Sequence, residues 1–227
     1  MIQERVKGNI MDFYEDGMVL IMAPLPNLDR AVYRKYSEVE VVLPDGRSIT
    51  AEQRRKAFAL LGEIAEFVDG VRNSQTVEDA KEMMKWDFIA HCMESQERKI
   101  FSLSDCDETT AREFISYVID FIIKHGIPTH VPLIEQAEDI GRYVYSCAAN
   151  RRCAICGRAA DIHHCTGDRI GMGGDREIVH HLGRKVLPLC REHHDLAHHG
   201  EIELMTKYHL APIKLDERLC KILKLKK

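Results

Sequence analysis

Long apolar runs are missing from this chain. No stretch reaches the roughly 18 apolar residues that a membrane-spanning helix needs. Residues 1–11 carry charges where a secretory leader would have an apolar core. There is no internal repeat, low-complexity tract or heptad pattern, so solenoids, flexible linkers and coiled coils are excluded. Tryptophan occurs once, at Trp86. These absences lead us to expect a cytoplasmic protein with no membrane partner. In that reducing setting its 8 cysteines are expected as thiols or metal ligands rather than disulfides.

What is present divides unevenly. The 227 residues suffice for one large domain or two small ones, and a content of 45% hydrophobic and 30% charged residues is that of a globular chain. Residues 151–227 hold 15 Lys and Arg against 10 Asp and Glu, whereas residues 1–150 hold 17 against 26. Of the 12 histidines, 9 follow residue 150. A basic, histidine-rich end on an acidic body suggests two parts with different work. In the acidic part any nucleic-acid contact has to come from a local patch.

Along the chain, Met18–Met22 reads as a buried strand after the Asp16-Gly17 turn, and Val39–Leu43 as another, closed by Pro44-Asp45-Gly46. Thr50 with Gln53 has capping-box spacing. The helix that follows sets Ala57, Leu60, Leu61, Ile64 and Val68 on one stripe and ends at Asp69-Gly70. A second helix is expected from about Val77 to Glu97, with Ala80, Met83, Met84 and Phe88 inward. A short strand is expected at Ile100–Leu103. A third helix, capped by Asp107 or Thr109, buries Phe114, Ile115, Val118, Ile119 and Ile122 and stops at Gly126-Ile-Pro128. An amphipathic stretch from Leu133 to Cys147 leads to a boundary near Ala148–Arg152. The expected domains are residues 1–148 and 149–227.

Chemistry concentrates beyond that boundary. Cys153-Ala-Ile-Cys156 is a C-x2-C pair, and Cys190-Arg-Glu-His193 follows 34 residues later as a C-x2-H pair. Two short-spaced pairs on separate turns supply the four ligands of tetrahedral zinc. A redox reading of C-x-x-C lacks the βαβ setting that it requires. Between the pairs lies Asp161-Ile-His163-His164, and directly after them His194-Asp-Leu-Ala-His198, whose histidines at i and i+4 share one helix face and can reach one ion. The loop Gly167–Gly174 is glycine-rich but matches no nucleotide-binding fingerprint, and reads as a hairpin tip. Arg169 and Arg176 are candidate phosphate contacts there.

Taken together, C-x2-C, His-His and Leu-Cys-x2-His-His-x3-His resemble the HNH endonucleases over about residues 150–200. The resemblance implies a β-hairpin and a helix around one catalytic ion, cutting phosphodiesters to 5′-phosphate and 3′-hydroxyl ends. It makes His163, His194 and His198 the ligands of the catalytic metal, His164 the general base, and Cys153, Cys156, Cys190 and His193 the ligands of a structural zinc. His199, beside His198, is an alternative last contact. Imidazole ligands admit Mg2+, Mn2+, Ni2+ or Zn2+ as the catalytic divalent ion. The sequence departs from the family where an Asn usually lies, five residues before the second cysteine pair. Lys185 stands there, open to a phosphate-contacting catalytic role, while His180 or His181 could replace the Asn in pinning the loop.

Upstream, Ser48–Gly62 resembles the central motif of lambda-type NinB/Orf recombination proteins, a likeness extending over about residues 37–130. It implies a dimer that binds single-stranded DNA and helps load a recombinase onto DNA covered by single-strand-binding protein. The residues themselves show Arg54, Arg55 and Lys56 at a helix start, a site for phosphate or simply a solvated charged turn. Trp86 could stack on a base, but an aromatic on an amphipathic helix is first expected in the core. The tail ending Lys221–Lys227 reads equally as a basic cap packed on the preceding module, a DNA contact or a solubilising segment.

The expectation is an α+β chain, an N-terminal DNA-binding-like domain followed by a small ββα-metal domain. Its function would be metal-dependent DNA cleavage in phage recombination or replication. Two competing readings are a zinc-stabilised single-stranded-DNA-binding mediator without catalysis and an RNA-cutting enzyme, since metal–histidine chemistry does not itself select the sugar.

Overall fold

The computed structural model describes residues 8–25, 27–35, 41, 46–93, 101–168 and 179–226. The chain forms two compact units, Met1–Pro44 and Asp45–Lys227.

The first unit contains β1 (Asn9–Phe13) paired antiparallel with β2 (Val19–Met22), and a short α1 (Leu28–Tyr33). Gly17, at φ 85°, closes the turn between the strands. The apolar run expected as a buried strand is a strand, but Met18, Leu20 and Met22 are exposed. A two-stranded ribbon has no second layer of its own, so both faces stay open. The strand expected at Val39–Leu43 and its turn at Pro44 and Asp45 fall on residues 36–40 and 42–45, almost all outside the described residues.

In the second unit, α2 (Ala51–Asp69) begins with the expected capping box: Gln53 N–H donates to Thr50 Oγ1 at 3.1 Å, and Thr50 N–H to Gln53 Oε1 at 3.0 Å. Caps of this kind are worth about 1 kcal/mol. Ala57, Leu60, Leu61 and Ile64 are fully buried, but Val68, expected on the same stripe, is 62% exposed because the last turn of α2 is uncovered. Next comes α3 (Ser74–Met93), which starts three residues earlier than expected. Asn73 accepts from the Gln75 and Thr76 amides, capping that the hydrophobic periodicity does not reveal. Its expected end at Glu97 lies outside the described residues. Ala80, Met84 and Phe88 are buried, whereas Met83 and Trp86 face outward, Trp86 at 56% exposure. The core placement expected for Trp86 is thus wrong; the stripe runs through positions 80, 84 and 88 and leaves 86 on the far side.

Residues 101–105 form a turn rather than the expected strand, held by Cys106 N–H on Ser102 O at 2.9 Å. Asp107 caps α4 (Glu108–His125) through the Thr110 amide at 2.8 Å, and Gly126 in the left-handed region ends it. The expected single stretch from Leu133 to Cys147 is two helices, α5 (Leu133–Gln136) and α6 (Ile140–Ala149), because the side chain of Asp139 caps a new start. Arg142 on α6 pairs with Asp120 on α4.

The rest is β3 (Asp161–His164), β4 (Lys185–Leu189), α7 (Arg191–Lys207), β5 (Ile213–Lys214) and α8 (Glu217–Leu223), with an antiparallel sheet ordered β3-β4-β5. The fold is α+β. Its main core is continuous from Leu60, Phe114 and Ile119 through Tyr143 to Cys153, Leu187, Leu189 and Ala197. The boundary expected at 148/149 therefore lies within one packed unit, and Tyr143 Oη donates across it to Ala154 O at 2.9 Å. The basic tail has a packing role: Leu219, Cys220 and Leu223 of α8 bury against Ala148, Val186 and Leu215. No described helix is long and apolar enough to cross a membrane.

Candidate metal centres

The first centre joins the turn after α6 to the start of α7. Cys153 N–H bonds Arg158 O and Gly157 N–H bonds Cys153 O, folding Cys153 and Cys156 into a tight turn. Ala154 N–H donates to Pro188 O at 3.0 Å and docks this turn on β4, while β4 delivers Cys190 as the N-cap of α7 and His193 on its first turn. Cys156 Sγ and Cys190 Sγ are 3.7 Å apart, Cys190 Sγ and His193 Nδ1 3.2 Å, and Cys153 Sγ and His193 Nδ1 3.5 Å. Thiolates about 2.3 Å from a tetrahedral ion span edges of about 3.8 Å, and mixed S–N edges are somewhat shorter. The four residues fit zinc. Burial pushes the Cys153 thiol up to about 12, so a thiolate there calls for a cation beside it. Burial opposes the charge on Cys156 most strongly, but hydrogen bonds from the Arg158 side chain, at 3.2 Å, from the Arg158 amide and from Cys153 and Cys190 together hold that thiol below its ordinary value. None of the described cysteines is in a disulfide.

The second centre lies between β3 and α7. One ring nitrogen from each of His163, His194 and His198 lies within 4.8 Å of the others. Ring centroids are 4.8, 5.1 and 4.6 Å apart, with the rings steeply inclined to one another. Steeply inclined imidazoles converging on one point form a face of ligands, and His198 on the exposed side leaves the approach open. His163 is buried; its Nε2 lies 3.0 Å from Glu201 Oε2, and its buried Nδ1 makes no hydrogen bond. The donor set fits a divalent ion held by three imidazoles. Burial, with His163 and His198 alongside, pushes His194 below the ordinary imidazole range, which keeps its ring neutral as a ligand must be. His199, the alternative last contact, instead turns its Nδ1 to Asp195 O at 2.7 Å.

Consecutive strand residues project to opposite faces, so His164 leaves the α7 side on which His163 sits. Its Nε2 meets His181 Nδ1 at 3.0 Å. His181 is fully buried, and its own amide is tied to Lys226 O at 3.0 Å.

A family model described as Putative HNHc nuclease matches residues 27–226. The chain belongs to the HNHc nuclease family. Comparison with curated proteins and with solved structures gives no match.

In this member of the family the position expected for Asn is filled differently. Lys185 opens β4 with its side chain exposed, and its amide bonds Asp168 Oδ2 at 3.1 Å. Arg184 donates to Asp168 O at 2.8 Å and to His180 O at 2.7 Å. Asp168 and Arg184 thus clamp the loop ends, the pinning role expected of His180 or His181 in place of Asn. Among the basic residues at the start of α2, Arg54 is engaged with Leu103 O and Ser104 O, and Lys56 pairs with Glu52 and Glu138. Arg55 is exposed. Arg169 and Arg176 lie outside the described residues. Glu201, absent from the candidates drawn from the sequence, lies seven residues after His194 and three after His198, a helical spacing that is its one local signal. Burial works against its charge, yet the Thr166 amide and the His163 ring hold its carboxyl below the ordinary value.

Proposed function

We propose that this chain is a metal-dependent DNA endonuclease, hydrolysing phosphodiesters with His164 as general base and a divalent ion held by His163, His194 and His198. The observation that carries the reading is the convergence of those three rings beside a separate Cys3His cluster, with His164 next in the chain and seated on His181. A bound divalent ion supplies charge neutralisation at the phosphate and the 3′ leaving oxygen. An imidazole, with an ordinary pKa near ~6.5, can take a proton from the attacking water at neutral pH. His164 does so, and His181 holds its ring at Nε2. The phosphate would straddle the end of β3, where His163 and His164 leave opposite faces. The Cys3His cluster holds hairpin and helix in that relation.

The remaining assignments rest on the upstream resemblance. Residues 1–148 deliver residues 149–227 to single-stranded or branched DNA during phage recombination or replication in the host cytoplasm, as a dimer acting near a recombinase and single-strand-binding protein. The division is one of labour within a shared core. Arg55 is the basic group of α2 best placed to meet a phosphate, with Lys185, Arg169 and Arg176 as further contacts. A mediator that binds DNA without cutting it is the second reading, favoured by Lys185 standing where the family carries Asn.

The test is nicking of supercoiled, branched and single-stranded DNA, with RNA in parallel, under Mg2+, Mn2+, Ni2+ or Zn2+, by the wild type and His164→Ala. Wild-type cleavage lost in the variant supports the nuclease. DNA binding without cutting by either protein supports the mediator, and preference for RNA replaces the substrate.

A further inference from the structure

We propose that Glu201 is the positioning residue of the second metal centre: its carboxylate holds the Nε2–H of His163 and so presents the opposite ring nitrogen to the ion shared with His194 and His198. The inference rests on the metal-centre reading above and adds to it what fixes the one ligand that comes from the strand.

A neutral imidazole has two tautomers and ligates only through the nitrogen that lacks the proton. His194 and His198 are carried together on one helix face, but His163 comes from β3 and needs its own restraint. Glu201 Oε2 lies 3.0 Å from His163 Nε2, an acceptor that an anionic carboxylate offers and a second donor could not replace. The carboxylate is itself anchored. The Thr166 amide, two residues beyond β3, lies 3.0 Å from both Oε1 and Oε2. Glu201 is buried at 9% exposure and His163 at 1%, so the pair is shielded from water. The backbone is shaped for this contact: α7 breaks at Gly200, with ψ 74°, between His198 and Glu201. Glu201 touches neither substrate nor ion; it acts through His163.

The experiment uses the full chain with the Cys3His zinc in place, titrated with Co2+ or Mn2+ by calorimetry, for wild type, Glu201→Ala and the near-isosteric Glu201→Gln. Carboxylates that hold the free N–H of a metal-ligating histidine contribute about 10–100-fold to metal affinity. Expected is a loss of that size for the second ion in Glu201→Ala, a smaller one in Glu201→Gln, and an unchanged zinc content. Before ion is added, long-range 1H–15N spectra should show His163 protonated at Nε2 in the wild type and a tautomer mixture in Glu201→Ala, which a merely structural anchor would not produce. A folded Glu201→Gln or Glu201→Ala protein with wild-type second-ion affinity and the wild-type tautomer overturns the proposal. If the wild type takes up only its zinc, the metal-centre reading fails first and this proposal with it.

Discussion

His164 and His181 are 17 residues apart in sequence and meet ring to ring, Nε2 to Nδ1 at 3.0 Å. The partner is anchored: His181 is fully buried and its backbone is bonded to Lys226 O and to the Arg184 amide. Positioning a general base is worth less than the base itself, which contributes about 10²–10⁴-fold. His181→Ala is therefore expected to lower kcat by about tenfold, below that range, with little change in KM. His181→Asn, which still offers a donor and an acceptor, should recover part of the loss. Single-turnover cleavage compared with His164→Ala checks this. Equal rates for His181→Ala and wild type would remove His181 from the mechanism.

The Cys3His cluster links two segments 34 residues apart through Cys156 and Cys190, whose sulfurs are 3.7 Å from each other. Cys190→Ser is expected to lower zinc content by one equivalent and to cost on the order of 4 kcal/mol or more, as loss of a structural metal does. In a chain of this size that lowers Tm by roughly 10 °C. Metal analysis and a thermal melt measure both. A melt unchanged after the zinc is lost would deny the cluster its structural role.

Both clusters were legible because metal chemistry fixes residue type and spacing together: Cys153, Cys156, Cys190 and His193 lie together where they could hold an ion, and His163, His194 and His198 form a second such group. Strong local signals such as the Thr50–Gln53 box and the Asp107 cap also held. What stayed hidden depends on contacts between distant segments. Spacing sets Glu201 at i+7 from His194 and i+3 from His198 but does not tell it from a surface glutamate; its role exists only because Thr166 and His163 arrive beside it. Trp86 and Met83 turned outward because hydrophobicity alone does not choose which side of α3 meets α2 and α4. The shared core across residue 148 was likewise invisible to charge asymmetry, which reports the surface and not the packing.

Tyr143 tests that continuity. Its buried hydroxyl donates to Ala154 O at 2.9 Å, joining α6 to the turn that carries Cys153 and Cys156. Tyr143→Phe keeps the ring and leaves a buried carbonyl without this donor, a loss of about 1–3 kcal/mol. The expected fall in Tm is about 2–12 °C, in one cooperative transition. Two separate transitions, with only one of them shifted, would show the helical part and the metal-bearing part melting independently.

The last expectation concerns pH. Glu63, nearly buried on α2, accepts from the His130 amide at 3.3 Å and lies 2.8 Å from His130 Nδ1. That hydrogen bond to Glu63 first, and its charge second, raise the pKa of His130 above the ordinary imidazole value of 6.5. A raised folded-state value means that the protonated ring favours the folded chain. The contribution is complete below about 6.5, the unfolded value, and disappears as pH rises through the higher folded one. The ring is exposed to solvent, so the clearest readout is its own titration by NMR rather than a melt. His130 should titrate above 6.5 in the wild type and return toward 6.5 in Glu63→Gln, whose amide keeps the shape of the contact and removes the charge. A wild-type midpoint at or below 6.5 would mean that the pair does not form in solution.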